Sequence, residues 1–233
     1  MKFKTKLVSG KLIKRYKRFL ADVELDNGNI VVAHCTNSGS MISCIEEGAR
    51  VYLSPATDPK RKTRFTWEMI EINNSWVGIN TSIPNQLVFE AIRNQEIPQL
   101  TGYTFVKREV KFEDSRFDVY AENDKEKCFI EVKNVSMKVG DAALFPDSVT
   151  IRGRKHLETL IRVKEQGIRA VMVYIIQRMD VNSFGAAEHI DPDYANSLQK
   201  AIKAGVEVIA LQAEVRPEGI ELYKKLELLE SLI

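Results

Sequence analysis

The stretch at residues 117–137 carries side chains whose types and spacing could do chemistry. It reads FDVYAENDKEKCFIEVKNVSM, an apolar strand with Asp118, a polar turn, and a second strand with Glu131 and Lys133. Because side chains alternate between the two faces of a strand, Glu131 and Lys133 are predicted to share one face. If the two strands pair, Asp118 lies beside Glu131 on that face. Two carboxylates and one ammonium would then meet at a sheet edge, which suits a divalent cation and a phosphate ester.

The charge of the two carboxylates is the reason to expect a cation. Two such charges roughly 5 Å apart repel each other by about 3 kcal/mol at an effective dielectric near 20. Hard oxygen ligands select Mg²⁺ or Mn²⁺, so Asp118 and Glu131 are the predicted metal ligands. Lys133 could orient an attacking water or stabilise a pentacovalent phosphorus. Asp118, Glu131 and Lys133 are therefore the predicted catalytic residues.

The same stretch admits a second interpretation, a solvent-facing hairpin whose charges merely pair with each other. Glu-x-Lys is a common pattern, and the chain repeats it at Glu109 and Lys111, where the nearest upstream aspartate is Asp58. Glu90, on a helix predicted over residues 85–94, is a candidate for an extra carboxylate. Its position outside or at the margin of the apolar stripe favours a surface residue instead.

Basic charge is concentrated in the first third of the chain. Residues 1–80 carry 13 Lys and Arg against 8 Asp and Glu, a net charge of +5, whereas the remainder carries 21 against 24, a net charge of −3. This asymmetry indicates a polyanionic partner. One segment mixes cations that can hold phosphates with aromatic rings that can stack on bases: Lys14, Arg15, Tyr16, Lys17, Arg18 and Phe19. In the alternative, the two rings belong to the core and the cations form a solvated face.

Residues 1–80 show the pattern of a small β-barrel. Short alternating segments predict about five strands, including one long strand, straight or bent, over 12–25 and a hairpin turn at 26–29. Many short strands in so short a segment are typical of a barrel such as an OB-fold. Asn, Ser, Gly and Pro within residues 73–84 indicate a boundary, so we expect two domains, 1–80 and 81–233.

The second predicted domain alternates between helix and strand patterns. Helices are predicted over residues 150–166 and 194–204, and a loop near the site is predicted over 139–148. The apolar run at residues 169–176 has the length of a strand, which indicates a strand buried on both faces. This order of elements predicts a mixed α/β sheet covered by helices.

Cations near the start of the helix at residues 150–166 form a second candidate site for phosphate. Arg152, Lys155 and His156 are poorly placed against the helix dipole, and a bound phosphate would offset this. We therefore predict that these three side chains contact nucleic acid. The alternative, an exposed face whose side chains reach water, stays open.

Composition excludes several classes of protein. The cysteines, Cys35, Cys44 and Cys128, are odd in number and lack CxxC spacing, which argues against a disulfide framework and structural zinc. The longest apolar run, residues 170–176, is far too short for a membrane span, and the basic N-terminus lacks the apolar core of a signal peptide. We therefore expect a cytoplasmic protein that has no membrane partner.

The sequence resembles the sugar fermentation stimulation protein (SfsA) family over almost its whole length. The resemblance rests on ordered segments that include LIKRYKRFLADVELDNG at 12–28, AHCTNSGSM at 33–41, WVGINTSIPN at 76–85, SRFDVY at 115–120, FIEVKNVSM at 129–137, FPDSVTIRGRKHLETL at 145–160 and VYIIQRMDV at 173–181. Further segments near the end are IDPDYANSL, AGVEVIAL and PEGIELYKKL. So many segments in one order make a chance match implausible.

The resemblance implies an N-terminal OB-fold and a C-terminal domain similar to the PD-(D/E)XK nucleases. It also implies DNA binding without marked sequence preference and a link to the regulation of sugar (maltose) metabolism. The nuclease pattern falls on Asp118, Glu131 and Lys133, all of which are intact. Two hypotheses follow, a DNA-binding regulator and a Mg²⁺- or Mn²⁺-dependent nuclease. RNA as a partner and the oligomeric state, a dimer included, are left open.

Overall fold

The N-terminal part of the chain folds into a small barrel. The structure is a computed structural model that describes residues 1–232. The strands of the first sheet are β1 (Val8–Tyr16), β2 (Leu20–Leu25), β3 (Ile30–His34), β4 (Arg50–Pro55), β5 (Phe65–Ile72) and β6 (Ser75–Gly78). Their order is β3-β2-β1-β4-β5-β6, and β3 also pairs with β5. Five strands therefore close into a barrel and β6 extends it, which confirms the barrel predicted for this region.

The prediction of one long strand over residues 12–25 is wrong, because the chain reverses within it. β1 and β2 pair antiparallel across a tight turn. Lys17 and Arg18 adopt left-handed φ angles of 49° and 63° in this turn, and the Phe19 N–H donates to the Lys17 carbonyl at 2.8 Å. Neither glycine nor asparagine is present, so the sequence carries none of the usual signals for a reversal. The hairpin turn predicted at residues 26–29 is confirmed by the pairing of β2 with β3.

Alternating side chains fill the interior of the barrel. In β2, Ala21, Val23 and Leu25 are buried while the residues between them are more exposed. This alternation follows from the two faces of a strand and sets the register of the sheet. Trp67 of β5 is fully buried, and its indole N–H donates to the Met69 carbonyl at 3.0 Å. The loops that line the site described below are attached to this packed barrel.

The second part of the chain forms two further sheets. Its strands within residues 1–232 are β7 (Phe105–Phe112), β8 (Ser115–Glu122), β9 (Lys127–Val135), β10 (Met137–Val139), β11 (Ala142–Phe145), β12 (Arg169–Ile176), β13 (Ser183–Ala186), β14 (Glu207–Arg216), β15 (Gly219–Lys225) and β16 (Glu227–Leu228). The main sheet has the order β15-β14-β12-β9-β8-β7, and a small sheet has the order β10-β11-β13-β16. The loop predicted over residues 139–148 is wrong in part, because β11 lies within it and pairs parallel with β13.

Helices cover both faces of the main sheet. Those in the described chain are α1 (Ile83–Arg93), α2 (Ile151–Glu165) and α3 (Pro192–Lys203), with 3₁₀ turns at Pro98–Leu100 and Glu230–Leu232. α1 packs on one face, and α2 and α3 pack on the other. β12 is consequently buried on both faces, as predicted. The predicted fold class, a barrel followed by a helix-covered mixed α/β sheet, is confirmed.

Side-chain caps fix where two of these helices begin. The Thr150 hydroxyl accepts the Gly153 N–H at 3.0 Å at the start of α2, and the Asp191 carboxylate accepts the Tyr194 N–H at 2.9 Å at the start of α3. The cap at Thr150 sets the first turn of α2, which belongs to the site described below. Within residues 1–232, no helix combines the length and the apolar composition that crossing a membrane requires.

Arg178 links the main sheet to the barrel at the domain junction. Its buried guanidinium donates to the two carboxylate oxygens of Asp180 at 2.7 and 2.9 Å. It also donates to the Ser136 carbonyl at 2.6 Å and to the hydroxyl of Ser43, in the loop after β3, at 3.3 Å. Lys138 Nζ lies 3.0 Å from Asp180 Oδ2. Burial raises the pKa of Asp180, but hydrogen bonds from Arg178 and Lys138 outweigh burial and hold this pKa well below its usual range.

A second contact at the junction involves β6, which lies inside the segment predicted as a domain boundary. β6 pairs antiparallel with β5, so part of residues 73–84 is sheet. The Gly78 N–H donates to the Gln177 carbonyl at 2.8 Å, and a Cβ at Gly78 would lie 2.5 Å from the Gln177 side chain. Glycine is required there by close packing. The domain division after residue 80 stays a prediction.

Candidate functional site

The pairing of β8 with β9 brings Asp118 and Glu131 together. The register pairs Val119 with Ile130, so Asp118 lies opposite Glu131 on the neighbouring strand. Asp118 Oδ2 accepts the Val132 N–H at 2.8 Å. Lys133 Nζ lies 2.6 Å from Glu131 Oε1. The three residues predicted to be catalytic therefore occupy one place in the sheet.

Glu131 is the most buried member of this group, with its side chain 2% exposed. Its Oε1 accepts a hydrogen bond from Lys133 and is in close contact with His156 Nδ1. Burial raises the pKa of Glu131, but the positive charge of Lys133 and the contact with His156 outweigh burial and lower the net pKa. Its Oε2 is buried without a hydrogen-bond partner in the described chain. Such an orphan acceptor is costly unless a ligand satisfies it.

The pKa of Asp118 is shifted in the opposite direction, upward. Burial and then the negative charge of Glu131 raise the pKa of Asp118 to about 7, against weaker lowering by the Val132 N–H and Lys133. The two adjacent carboxylates thus differ in how readily they ionise. Asp118 carries its full charge near neutral pH only if a positive group joins the site.

The carboxylates lie in a cavity of about 370 Å³ at the domain junction. Its floor includes Asp118, Glu131 and Lys133, and one wall is the barrel loop of Asn37, Ser38 and Gly39. The opposite wall is the segment that follows β11, together with the start of α2. We call this space the junction cavity. Residues of both domains line it.

The two walls are joined by hydrogen bonds to Asp147. The Met41 N–H donates to Asp147 Oδ2 at 3.0 Å, and the Ser40 hydroxyl donates to the Asp147 carbonyl at 2.6 Å. A Cβ at Gly39 would collide with the Asp147 carboxylate. Glycine therefore lets the barrel loop approach the opposite wall closely.

The basic segment predicted to bind nucleic acid divides into two groups. Lys17 and Arg18 are exposed at the β1–β2 turn. Arg15 instead donates to backbone carbonyls of the barrel loop, including those of Asn37 at 2.9 Å and Gly39 at 3.0 Å. Arg15 thus fixes the wall of the cavity. Because these donors are already used, Arg15 has fewer N–H groups free to bind a phosphate.

The remaining members of the basic segment surround Asp22. The Tyr16 hydroxyl donates to Asp22 Oδ1 at 2.9 Å, and the exposed Lys14 lies 3.7 Å from Asp22 Oδ2. Lys14 Nζ also lies 5.7 Å from the centre of the Tyr16 ring. Phe19 is 47% exposed, so it is outside the barrel core. The alternative that placed the Phe19 ring in the core is therefore wrong. The Tyr16 ring is half-buried.

The first two turns of α2 contribute two of the three predicted residues to the cavity. His156 is buried against Glu131, and the exposed Arg152 approaches it with Nε 3.5 Å from His156 Nε2. Lys155 lies elsewhere on the helix surface, where its Nζ is 2.8 Å from Asp114. The structure therefore brings Arg152 and His156 to the carboxylates but not Lys155.

Asn85 of α1 is a site residue that the sequence patterns did not single out. Its Nδ2 donates to Asp118 Oδ1 at 2.5 Å, and it lines the junction cavity. Glu90, the candidate extra carboxylate on the same helix, instead accepts the Gln86 amide at 2.7 Å and does not line the cavity. The sequence contained one signal for this role, because Asn85 is a polar residue in the first turn of α1.

Glu109 also faces this part of the sheet. The β7–β8 register pairs Arg108 with Val119 and Val110 with Phe117, which places Glu109 opposite Asp118. Its φ of 57° is left-handed, and its side chain is exposed. The negative charge of Glu109 adds to the rise in the pKa of Asp118. The second Glu-x-Lys copy thus lies on β7, separated from the first copy on β9 by β8 and its Asp118.

The donor set of the floor fits a hard divalent cation. Asp118 and Glu131 provide carboxylate oxygens, and Glu131 Oε2 is left without a partner in the described chain. Within residues 1–232, no three His, Cys, Asp or Glu side chains are grouped to hold a metal ion. The floor therefore offers two acidic side chains to such an ion. Mg²⁺ sites commonly have one or two carboxylates, with water and substrate phosphate completing the coordination.

A closed barrel followed by a helix-covered mixed sheet, with two carboxylates on neighbouring interior strands, defines a protein with an OB domain and a second, mixed α/β domain. Family models agree with this description. The model for the SfsA N-terminal OB domain matches residues 13–79, and the model for the sugar fermentation stimulation protein RE domain matches residues 82–219. The chain belongs to the sugar fermentation stimulation protein (SfsA) family.

Curated relatives and a solved structure match nearly the whole chain. A sugar fermentation stimulation protein homolog of Geotalea uraniireducens is 48% identical over 216 residues, which cover 92% of this chain and 94% of the relative. The homolog of Pelobacter propionicus is 47% identical over 94% of this chain and 96% of its own length. The structure of Pyrococcus furiosus SfsA in complex with Ca²⁺ has a TM-score of 0.89 at 28% identity and covers 98% of each chain.

Proposed function

We propose that the protein binds DNA, without marked sequence preference, through the β1–β2 turn and the mouth of the junction cavity. The observation that carries this proposal is the position of Arg15, which donates to the Arg18 carbonyl at 3.1 Å and to the Asn37 and Gly39 carbonyls. Arg15 thereby holds the exposed cations Lys17 and Arg18 beside one wall of the cavity. A phosphodiester chain bound by these cations is directed toward the cavity floor.

The family supports the same proposal. An OB domain is a common support for nucleic acid, and basic charge is concentrated in this domain of the chain. We extend to this chain the role implied by the family, a DNA-binding regulator of sugar (maltose) metabolism. RNA is the alternative polyanion, and a binding competition between DNA and RNA of equal length distinguishes them.

Charge reversal tests the binding surface. The variant Lys17→Glu/Arg18→Glu should bind duplex DNA more weakly and reduce the slope of log affinity against log salt by about 2, because each lost phosphate contact removes roughly 0.9. Lys224→Glu/Lys225→Glu is the matched control, since it changes the net charge equally at an exposed part of β15. Equal effects of the two variants would show that only net charge matters and would overturn the proposed surface.

We propose phosphodiester hydrolysis as a second candidate function of the junction cavity. The specific observation that favours it is the unpartnered Oε2 of buried Glu131 beside Asp118, whose pKa is raised. Asp118 and Glu131 would hold Mg²⁺ or Mn²⁺, as the Ca²⁺ complex of the archaeal relative supports. Such an ion, when bound, lowers the pKa of a water ligand and neutralises charge on a phosphate.

The other groups of the cavity would position the phosphate and the water. Lys133 Nζ, 2.6 Å from Glu131 Oε1, is near enough to orient an attacking water or to stabilise charge on the phosphate. His156 and Asn85 each contact one carboxylate and keep its orientation. Arg152, exposed at the mouth, would bind a neighbouring phosphate.

A cleavage assay separates the two functions. Purified protein with Mg²⁺ or Mn²⁺ should cut a labelled DNA, and Glu131→Ala should abolish cutting while DNA binding in EDTA is retained. Glu90→Gln is the control, because Glu90 is outside the cavity lining. Cutting that persists in Glu131→Ala would refute the assigned site. DNA binding in EDTA with no cutting of single-stranded, double-stranded or branched substrates would leave the non-catalytic regulator.

A further inference from the structure

The pairing of β8 with β9 ends inside the junction cavity. The register of the two strands stops after Ile130 of β9, and residues 131–137 line the cavity without a gap. Asp118 Oδ2, rather than a backbone carbonyl of β8, accepts the Val132 N–H at 2.8 Å. Because alternate N–H groups of a strand point to the same side, the Asn134 N–H also points away from β12 and toward the cavity. The open edge of β9 is therefore part of the cavity lining.

The Asn134 side chain is held at its oxygen end. Its Oδ1 accepts a hydrogen bond from Gln177 Nε2 at 2.6 Å, and the same Nε2 lies 3.4 Å from the Asn80 carbonyl oxygen. A backbone carbonyl only accepts hydrogen bonds, so Gln177 must turn its amide nitrogen toward these two groups. Because Gln177 is the donor, Asn134 turns Oδ1 toward it and Nδ2 away from it.

Close packing keeps Gln177 in this orientation. The side chain is fully buried, and a Cβ at Gly78 would lie 2.5 Å from its Oε1. The Gly78 N–H also donates to the Gln177 backbone carbonyl at 2.8 Å. A reversed amide would set Oε1 against the Asn80 carbonyl and take Nε2 away from both of its acceptors. The Asn134 amide is therefore fixed by a neighbour that has little room to move.

Asn134 Nδ2 is left as a donor that solvent can reach. In the described chain, the buried side-chain nitrogen and oxygen atoms without a hydrogen-bond partner are Glu131 Oε2, Gln177 Oε1 and Gln212 Oε1. Asn134 Nδ2 is not one of these, and it has no hydrogen-bond partner within residues 1–232. Because Asn134 lines the junction cavity, its Nδ2 is a neutral donor available to a ligand there.

An anionic oxygen is the partner that this donor fits. Divalent cations bind an asparagine through its oxygen, and Asn134 Oδ1 is already used by Gln177. The neighbouring ammonium of Lys133 is bonded to Glu131 Oε1 at 2.6 Å. An amide N–H adds a hydrogen bond without adding charge, and hydrogen bonds to ionised acceptors are the stronger ones. A non-bridging phosphate oxygen has this chemistry.

We infer that Asn134 binds a non-bridging phosphate oxygen in the junction cavity through Nδ2, and that Gln177 is the positioning residue that fixes its amide. The inference rests on the proposed DNA binding and deepens it, because it names the part of the ligand that enters the cavity. That part is a backbone phosphate rather than a base. The inference does not depend on cleavage.

Nuclear magnetic resonance of the full chain, labelled with ¹⁵N, observes the Asn134 amide directly. The side-chain NH₂ signals of Asn134 are identified by their absence from the spectrum of Asn134→Asp or Asn134→Ala. With Mg²⁺ present to offset the negative charge of the floor, inorganic phosphate should shift these signals downfield, because a hydrogen bond to an anionic oxygen deshields the proton. Duplex DNA in Ca²⁺ should shift them in the same direction.

Affinity for duplex DNA in Ca²⁺ tests the same contact. Asn134→Asp keeps the size of the side chain but replaces the donor with a carboxylate, so affinity should fall about tenfold or more, as expected when a hydrogen bond to a charged group is lost. Asn27→Asp is the matched control, since it makes the same change in the exposed β2–β3 turn, where the side chain can still accept the Asn29 N–H. The control should change affinity by less than about twofold.

A double-mutant cycle tests the role of Gln177. Gln177→Met removes the amide but keeps the length of the side chain, so affinity for DNA should fall about threefold as Asn134 loses its fixed orientation. In the Asn134→Ala background the same change should have no further effect, because no amide is left to orient. Equal losses in both backgrounds, with all variants folded by circular dichroism, would overturn the positioning role of Gln177.

The outcomes separate this inference from the proposed function. Asn134 signals that shift with DNA but not with inorganic phosphate would assign the amide to a base and overturn the inference. Signals that shift with neither, in a protein that binds DNA, would overturn it as well. A shift with inorganic phosphate in a protein that binds no DNA would overturn the proposed function and keep the phosphate contact. No shift and no DNA binding would overturn both.

Discussion

Two clusters of buried charge lie at the domain junction, and they differ in how completely they are paired. Asp180 receives two hydrogen bonds from Arg178 and one from Lys138, and its pKa lies well below the usual range. Asp118 faces another carboxylate, and its pKa is raised to about 7. In the first cluster the carboxylate is paired with two cations, and Arg178 links the main sheet to the barrel. In the second cluster Lys133 pairs with Glu131, but one ammonium faces two carboxylates, so this cluster is suited to a cationic ligand.

The difference has an energetic meaning. A buried ion pair contributes little net stability but is costly to break, because the charge left behind has no partner. A buried pair of like charges already carries such a cost in the unliganded protein, and a cation would remove it. Variants of the two clusters should therefore change stability in opposite directions.

The largest effect is expected for Arg178→Met. Removing the guanidinium leaves the Asp180 carboxylate and the Ser136 carbonyl without their buried donor, so the free energy of unfolding should fall by about 3–5 kcal/mol. Urea denaturation followed by circular dichroism measures it. Arg216→Met, which removes an exposed ion pair with Glu214, should cost less than about 1 kcal/mol. A loss of similar size in both variants would contradict the structural role of Arg178.

Asp118→Asn should instead stabilise the metal-free protein, in a pH-dependent way. The folded pKa of about 7 lies above the ordinary value of 3.8. Between about pH 4 and pH 7 the folded state keeps a proton that the unfolded state has lost, so the free energy of unfolding of the wild type falls as pH rises. The gain from Asp118→Asn is therefore small at pH 4 and reaches about 4 kcal/mol at pH 8, because a shift of about three pKa units corresponds to that free energy.

Thermal unfolding in EDTA across this pH range measures the effect. Adding Mg²⁺ or Mn²⁺ at pH 8 should stabilise the wild type and reduce its difference from Asp118→Asn, because only the wild type keeps both acidic ligands. An Asp118→Asn variant that is equally or less stable at pH 8 would mean that the two carboxylates do not repel each other in the folded protein.

The smallest effect is expected for Lys155→Met. Lys155 pairs with Asp114 at a surface where the two side chains are 48% and 61% exposed. Screening by solvent limits such a pair to about 0–1 kcal/mol, so the free energy of unfolding should change little. Denaturation in low and high salt provides the measurement. A loss comparable to that of Arg178→Met would contradict the exposed position of the Lys155–Asp114 pair.

The sequence was most informative where the spacing of side chains is local. Alternation along 129–133 and the polar turn before it were sufficient to predict that Asp118, Glu131 and Lys133 share a face. The apolar run of β12 likewise predicts burial on both sides. These features need no knowledge of the rest of the fold.

The features that could not be predicted depend on contacts between distant segments. The β1–β2 turn has two left-handed residues without glycine, and its conformation is supported by Arg15, which also reaches the loop at residues 37–40. Asn85 becomes a site residue only because α1 packs beside β8. No pattern within either segment contains that information.

The close approach of Gly39 to Asp147 has a consequence for how the family can diverge. The two positions are on separate domains and are separated by more than a hundred residues, yet a side chain at position 39 would overlap the Asp147 carboxylate, which accepts the Met41 N–H. We therefore expect a homologue with a larger residue at the first position to carry a shorter residue, or a displaced segment, at the second. Evolution of the barrel and of the second domain is thereby coupled through one pair of positions.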